Sequence, residues 1–143
     1  MNNVTIIYWS GTGNTEQMAA AVADGVKAAG TTATLMQPAE VGAQAVQAAG
    51  AIAFGCPAMG AEQLEERDFE PMFAAIEGSL SGKKVALFGS YGWGDGQWMR
   101  DWFERCQGTG AAMVQAEGLM AHETPDDNVL ADCRALGSAL AKA

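Results

Sequence analysis

Positive charge is scarce in this sequence of 143 residues, because Lys and Arg together number 8 against 17 Asp and Glu, giving a formal net charge of −9. Nucleic acids and anionic membranes are bound by clustered basic side chains, so both are excluded as partners. Long apolar runs are also missing: the longest candidate, residues 48–61, contains three glycines and a proline. No transmembrane helix is therefore predicted.

Cysteine and histidine are equally sparse. Cys56, Cys106 and Cys133 are odd in number and widely spaced, which gives neither a disulfide framework nor a C-x-x-C metal motif. The first residues lack the basic segment and cleavage site of a secretory signal. We therefore expect a cytoplasmic protein. His122 is the only histidine, and without a recognisable Cys or Ser partner we interpret it as a surface residue rather than a catalytic base.

Short apolar runs alternate with segments of helical periodicity along the whole chain, and the length predicts one domain, residues 1–143. The predicted strands are Val4–Trp9, Thr31–Met36, Ala51–Phe54, Lys83–Phe88 and Ala111–Ala116, with an interruption near Glu117–Gly118. The predicted helices are Asn14–Ala29, Val41–Ala49, Phe69–Glu77, Gln97–Gln107 and Asp126–Lys142, the last capped by Asp126 or Asp127. This alternation predicts an α/β fold, a three-layer doubly wound sandwich around a five-stranded parallel sheet.

The loop after the first strand has the composition of a phosphate site. It consists of Ser10, Gly11, Thr12, Gly13, Asn14 and Thr15. Hydroxyl, amide and free backbone N–H groups meet there at the positive end of a helix dipole. Because no Lys follows Gly13, the loop is not a nucleotide-hydrolysing P-loop, and it suits a phosphate that is held and never transferred. The alternative is an ordinary strand-to-helix turn rich in small residues.

Two further loops follow neighbouring strands and offer walls for a flat ring. The second contains Pro57, Ala58, Met59, Gly60, Ala61 and Glu62, and the third, which begins at Gly89, contains Ser90, Tyr91, Gly92, Trp93, Gly94, Asp95 and Gly96. Met59 and Trp93 are the predicted walls for a planar heteroaromatic ligand. Taken singly, a Met is more often core filler and a loop Trp more often packs on its own surface.

Together these three loops resemble the flavin mononucleotide (FMN) loops of short-chain flavodoxins of the clostridial type, and the similarity extends along the whole chain. The resemblance implies a sheet order of 2-1-3-4-5 and noncovalent FMN, with its phosphate on Ser10–Thr15 and its ring between Met59 and Trp93. It also implies that the Gly60 carbonyl faces N5–H of the half-reduced flavin and that Glu62 accepts from N3–H. Ser90 and Ala58 would lie along the ribityl chain, and the third loop would reach the pyrimidine edge.

Three positions depart from the pattern of that family. Pro57 stands where a relative has a Ser that helps to hold the phosphate, and His122 stands where we expect an Asn near the ribityl chain. Ala61 replaces the usual Asp, Asn, Ser or Gly. In a type II turn over residues 59–62, Ala61 would need φ > 0, which strains a residue with a Cβ.

The segment Glu62–Glu70 holds five acids against one base, a net charge of −4 beside the proposed ring. Such a charge lowers the potential of the flavin's last reduction step and attracts redox partner proteins with basic docking surfaces. The alternative is that these acids only solvate a loop.

The resemblance implies a monomeric carrier of single low-potential electrons between redox enzymes, in place of ferredoxin, and not an enzyme. Two alternatives stay open at this point. One is a small flavin-dependent NAD(P)H or quinone reductase on the same fold, which would need extra segments for a substrate site. The other is a cofactor-free interaction module. Phosphatase chemistry is excluded because Glu62 stands where a C-x-x-x-x-x-R motif starting at Cys56 needs Arg.

Overall fold

The computed structural model describes residues 3–143. Its strands are β1 (Asn3–Tyr8), β2 (Thr32–Met36), β3 (Ala51–Gly55), β4 (Lys84–Tyr91), β5 (Ala112–Met113) and β6 (Leu119–His122). Its α-helices are α1 (Asn14–Ala28), α2 (Ala43–Ala48), α3 (Phe69–Ile76), α4 (Gln97–Gly108) and α5 (Asp127–Lys142). Short 3₁₀ turns lie at Pro38–Glu40 and Glu77–Ser79. The predicted alternation of strands and helices is confirmed, with ends shifted by a few residues.

The strands form one parallel sheet in the order β2-β1-β3-β4-β5, which confirms the predicted doubly wound order. The fifth position is not one strand, however. β5 pairs with the start of β4 and β6 with its end, and both pairs are parallel. The interruption expected near Glu117–Gly118 is real, and it divides the fifth position into two short strands.

Alternate residues of the central strands pack on opposite faces of the sheet. On one face Val4, Ile6, Ala53 and Phe88 pack with α1 and α5. On the other face the core consists of Ile52, Phe54, Val85 and Leu87 with side chains from α2, α3 and α4. The sandwich therefore has three layers, and β1, β3, β4 and β6 end at one edge of the sheet.

Strand β4 runs three residues further than predicted. Gly89, Ser90 and Tyr91, predicted to be loop, pair in register with Met120, Ala121 and His122 of β6. The glycine at 89 permits close packing, since a Cβ there would lie 2.2 Å from the Cys56 carbonyl oxygen. The third loop therefore begins at Gly92, and Ser90 and Tyr91 are held by the sheet.

The last helix, α5, begins at a side-chain cap. Asp126 caps α5, because its carboxylate accepts a hydrogen bond of 2.9 Å from the Val129 N–H, as the sequence predicts. Between residues 3 and 143, no helix has the length and apolar character that crossing a membrane requires.

Candidate functional site

A cleft of about 310 Å³ opens at the carboxyl edge of the sheet. The three predicted loops meet there, together with the segment that follows β6. Of the predicted residues, the lining includes Ser10, Gly11, Thr12, Asn14, Thr15, Pro57, Ala58, Met59, Ser90, Tyr91 and Gly92. Gly13, Gly60, Ala61, Glu62, Trp93, Gly94, Asp95 and Gly96 are not among the residues that line it.

The first loop turns sharply into α1. Gly13 adopts φ 98° at the position before the helix, a conformation that favours glycine. The Ser10 hydroxyl accepts hydrogen bonds from the Gly13 and Glu16 N–H groups, each 3.2 Å long. Backbone N–H groups at a helix N-terminus have no partner within the helix, and Ser10 satisfies these two. The loop therefore directs backbone N–H groups and hydroxyls to one end of the cleft.

The floor of the cleft contains a buried pair of hydroxyls. Thr15 of α1 and Ser90 of β4 are 1% and 4% exposed, and their Oγ1 and Oγ atoms are 3.0 Å apart. The pair joins the first loop to the fourth strand across β1 and β3. Both residues line the cleft, so their hydroxyls fix the relative positions of two of its walls.

The second loop is a tight hairpin and not the predicted type II turn. Met59 and Gln63 exchange two backbone hydrogen bonds, of 2.7 and 2.9 Å. Positive φ falls at Gly60 (53°) and Glu62 (54°), and Ala61 does not share it. The predicted strain at Ala61 is therefore wrong for this structure, because three residues rather than two connect the paired positions and the left-handed conformations fall on either side of Ala61.

Glu62 ties this hairpin to the third loop. Its Oε1 accepts hydrogen bonds from the Gly96 and Gln97 N–H groups, at 3.2 and 2.9 Å, where α4 begins. A carboxylate is favourable at a helix N-terminus for both hydrogen bonding and dipole reasons. The side chain expected to meet the flavin N3–H thus also caps α4, and it couples the second loop to the third.

The third loop leaves its aromatic side chain in solvent. Trp93 is 70% exposed, the most exposed large apolar side chain within residues 3–143, and Met59 is 39% exposed. Asp95 forms an ion pair of 2.9 Å with Arg100 of α4, which closes the loop. Exposed apolar side chains beside a cleft mark a place where a ligand or partner removes them from water.

His122 lies at the end of β6. Its Nε2 is 3.1 Å from the Gly92 carbonyl oxygen, and its ring centroid is 5.0 Å from that of Tyr91. It is a neighbour of the third loop and is exposed.

Burial raises the pKa of the Cys56 thiol far above its usual range, which keeps the thiol protonated and unreactive.

The five acids of the segment Glu62–Glu70 are not equivalent. Glu65 is 4% exposed, and its carboxylate accepts three hydrogen bonds of 2.8 Å from the N–H groups of Arg67, Asp68 and Phe69, at the start of α3. Burial opposes ionisation of Glu65, but these donors outweigh it and lower its pKa. Glu70 binds Arg105 of α4 at 2.7 and 2.8 Å. Only Glu66 and Asp68 are classed as exposed, while Glu62 caps α4.

Sequence reasoning missed three residues of the lining, Trp9, Glu123 and Thr124. Glu123 adopts φ 61° and donates its N–H to the Tyr91 carbonyl oxygen at 2.7 Å. The signal for this segment was the apolar run Leu119–Ala121, which is a strand whose end reaches the same edge of the sheet.

No group of His, Cys, Asp and Glu side chains within residues 3–143 has the arrangement of a metal site.

Comparisons with known proteins give the family. The flavodoxin family model matches residues 6–137. The chain is 45% identical over 140 residues to a flavodoxin of Megasphaera elsdenii, covering 98% of this chain and 99% of the relative. It is 44% identical over 136 residues to a flavodoxin of Clostridium beijerinckii, covering 95% and 97%. The solution structure of two-electron reduced Megasphaera elsdenii flavodoxin superposes with a TM-score of 0.87 at 46% identity, covering 98% of this chain and 99% of that one.

These matches confirm the resemblance and do not favour a reductase. Flavodoxins are electron-transfer proteins that bind FMN and act with redox partner proteins, and they are not enzymes. With a cleft of fitting size at the sheet edge and relatives matched almost from end to end, the chain belongs to the flavodoxin family and is an FMN-binding electron carrier.

Proposed function

We propose that FMN binds without a covalent bond in the cleft, with its phosphate at the first loop and its ring between Met59 and Trp93. The observation that carries this proposal is the cleft itself, where polar groups of residues 10–15 meet the apolar surfaces of Ala58, Met59 and Tyr91. Its volume of about 310 Å³ is in the range of small-molecule sites.

The donor set suits a dianionic phosphate. Ser10, Thr12 and Thr15 supply hydroxyls, Asn14 supplies an amide, and the N-terminus of α1 supplies backbone N–H groups and the positive end of its dipole. Among the described residues that line the cleft, the one charged side chain is that of Glu123, and no Lys or Arg takes part. The phosphate is therefore held by neutral donors, and in this interpretation Pro57 supports the loop without donating.

The exposed side chains suit a flat ring. Met59 and Trp93 are held on neighbouring loops whose spacing is fixed by the Glu62 carboxylate. FMN supplies the one-electron chemistry when bound. The chain's own residues position the ring, exclude water from its faces and set the local field.

We propose that the surface next to the ring is a docking site for basic partners. Fewer acids take part in it than the whole segment Glu62–Glu70 that the sequence suggests. Glu66 lines a surface depression together with Met59 and Gly60, and Asp68 is exposed nearby in sequence. Glu65 and Glu70 contribute charge to the local field, but their carboxylates are occupied by α3 and by Arg105. We therefore place partner recognition on Glu66 and Asp68.

We also propose the oligomeric state, the location and the physiological role of the protein. The protein works as a monomer of one domain in the cytoplasm, and it carries single low-potential electrons in place of ferredoxin. Its three cysteines are buried and free, which suits a reducing compartment.

A flavin titration tests where FMN binds. Apoprotein is titrated with FMN and with riboflavin, which lacks the phosphate, and dissociation constants are read from flavin fluorescence. We expect Trp93→Ala to weaken both flavins by a similar factor and Thr12→Val to weaken FMN while sparing riboflavin. Leu35→Ala, which removes an exposed apolar side chain from the distant β2, is the matched control. Unchanged binding in both site variants contradicts the proposed placement.

A further inference from the structure

The fifth strand position contains a gap opposite the middle of β4. Val85 pairs with Met113 and Phe88 pairs with Leu119. While β4 advances by three residues, the chain beside it thus advances by six. The extra residues leave the sheet between Val114 and Gly118, so the Leu87 peptide groups on this side face no strand backbone. Leu87 itself is fully buried.

A glutamine side chain fills that gap. The Gln115 Oε1 accepts a hydrogen bond of 2.8 Å from the Leu87 N–H, and its Nε2 donates one of 3.1 Å to the Leu87 carbonyl oxygen. A primary amide presents the same donor and acceptor as a peptide unit, so Gln115 continues the ladder where the strand is missing. Asn carries the same amide but is one methylene shorter.

The chain beyond the gap forms the fourth wall of the cleft. β6 begins four residues after Gln115, and it delivers Glu123 and Thr124 to the cleft lining. The wall is held against β4 by the Glu123 N–H bond to Tyr91 and by the contact between His122 and the Gly92 carbonyl oxygen. Both contacts depend on the register in which β6 resumes beside β4, since a slip of one residue would turn every side chain to the other face.

We propose that Gln115 is a positioning residue for flavin binding, which replaces a missing peptide unit and thereby fixes the register of β6 and the place of Glu123 and Thr124. The inference rests on the proposed placement of FMN in the cleft. It gives the interrupted strand a role at the cleft, although Gln115 does not line it.

The test is Gln115→Glu, because the two protonation states of the new side chain differ in whether they can donate a hydrogen bond to the Leu87 carbonyl oxygen. An ionised carboxylate accepts from the Leu87 N–H but repels the Leu87 carbonyl oxygen, whereas a protonated carboxyl both accepts and donates, as the amide does. Repulsion by that carbonyl favours the protonated form. We expect FMN affinity about tenfold below that of the wild type at pH 7.5. The ratio of the variant's FMN dissociation constant to that of the wild type should return toward one as the pH falls to about 5.

Each FMN dissociation constant of a variant is divided by the wild-type constant at the same pH, because the FMN phosphate itself titrates in this range. Gln107→Glu is the matched control. It adds the same charge at an exposed position of α4, which lines a surface depression together with residues 116–118 but does not contact Leu87 by a hydrogen bond. It should show no pH-dependent recovery relative to the wild type. Amide hydrogen exchange at Leu87 and Glu123 provides a second measurement, and we expect both to speed up in Gln115→Glu and to recover together at low pH.

Three results would overturn the proposal: an unchanged FMN affinity with faster exchange at Leu87, a weaker affinity that acid does not rescue, or exchange at Glu123 that stays at the wild-type rate. Should Gln115→Glu fail to fold, Gln115→Asn keeps the amide one methylene short and is expected to weaken FMN binding at every pH. A parallel Thr15→Val variant separates a failure of the proposed FMN placement from a failure of the proposed role of Gln115. If that variant also binds FMN normally, the placement of FMN has failed and not only the role of Gln115.

Discussion

The hydroxyls of Thr15 and Ser90 lie 3.0 Å apart in the floor of the cleft, although the two residues come from the first helix and the fourth strand. Because both side chains are almost wholly buried, this bond is protected from water and contributes more than a surface contact would. One of the two O–H groups donates within the pair, so the other is left to donate to a ligand beside it.

Replacing Thr15 with Val removes that hydroxyl while keeping the shape of the side chain. We expect FMN binding to weaken by about tenfold and riboflavin binding to weaken less, because the lost hydroxyl belongs to the loop proposed to hold the phosphate. Thr15→Ser retains the hydroxyl and is the control. Equal losses for the two flavins would place Thr15 beside the ribityl chain instead.

Glu65→Gln should destabilise the apoprotein by about 1–2 kcal/mol, because three backbone donors lose a charged acceptor. The folded protein lowers the Glu65 pKa, so its contribution is fully present above the unfolded pKa and is lost as the pH falls through the folded one. The difference between wild type and variant should therefore shrink on acidification. Urea unfolding at a series of pH values measures it, and Glu66→Gln, at an exposed neighbour, should show little effect at any pH.

The hairpin of the second loop predicts losses of stability of different size at adjacent positions. Gly60→Ala forces a Cβ into φ 53° and should cost about 1–2 kcal/mol of apoprotein stability. Ala61→Gly relieves no such strain and should lower stability by less than about 1 kcal/mol through the added freedom of the unfolded chain. Thermal unfolding of the two apoproteins compares them, and a stabilised Ala61→Gly variant would show that Ala61 is strained after all.

Docking is tested by the double variant Glu66→Gln, Asp68→Asn. We expect slower electron transfer to a small basic haem protein at low ionic strength and convergence with the wild type in high salt, because screening removes the lost attraction. The control is Asp24→Asn, Asp132→Asn, which removes the same charge from exposed positions on α1 and α5. Equal slowing by both pairs would mean that net charge, and not this surface, steers the encounter.

Much of the architecture follows from periodicity, but some glycines and acids have meanings that only the fold reveals. Gly89 reads as loop, since the sequence does not show that the Cys56 carbonyl approaches it within the sheet. Glu65 reads as surface charge, because nothing local shows that the chain folds back to present three N–H groups to it. Glu123 was missed because the predicted fifth strand ends at Ala116, inside the gap that Gln115 bridges, and the sequence analysis predicts no strand beyond it.

Helices α1 and α5 approach so closely that a Cβ on Gly25 would lie 1.9 Å from the Arg134 carbonyl oxygen, and one on Gly137 would lie 2.0 Å from that of Val22. The first helix of the sequence therefore has its packing partner in the last. During synthesis, the part of α1 that faces α5 stays uncovered until α5 has left the ribosome, although residues 10–15 beside α1 are among the first segments made. Native packing of this layer is thus completed only after translation has passed α5, and a nascent chain stalled before α5 exposes this face to chaperones.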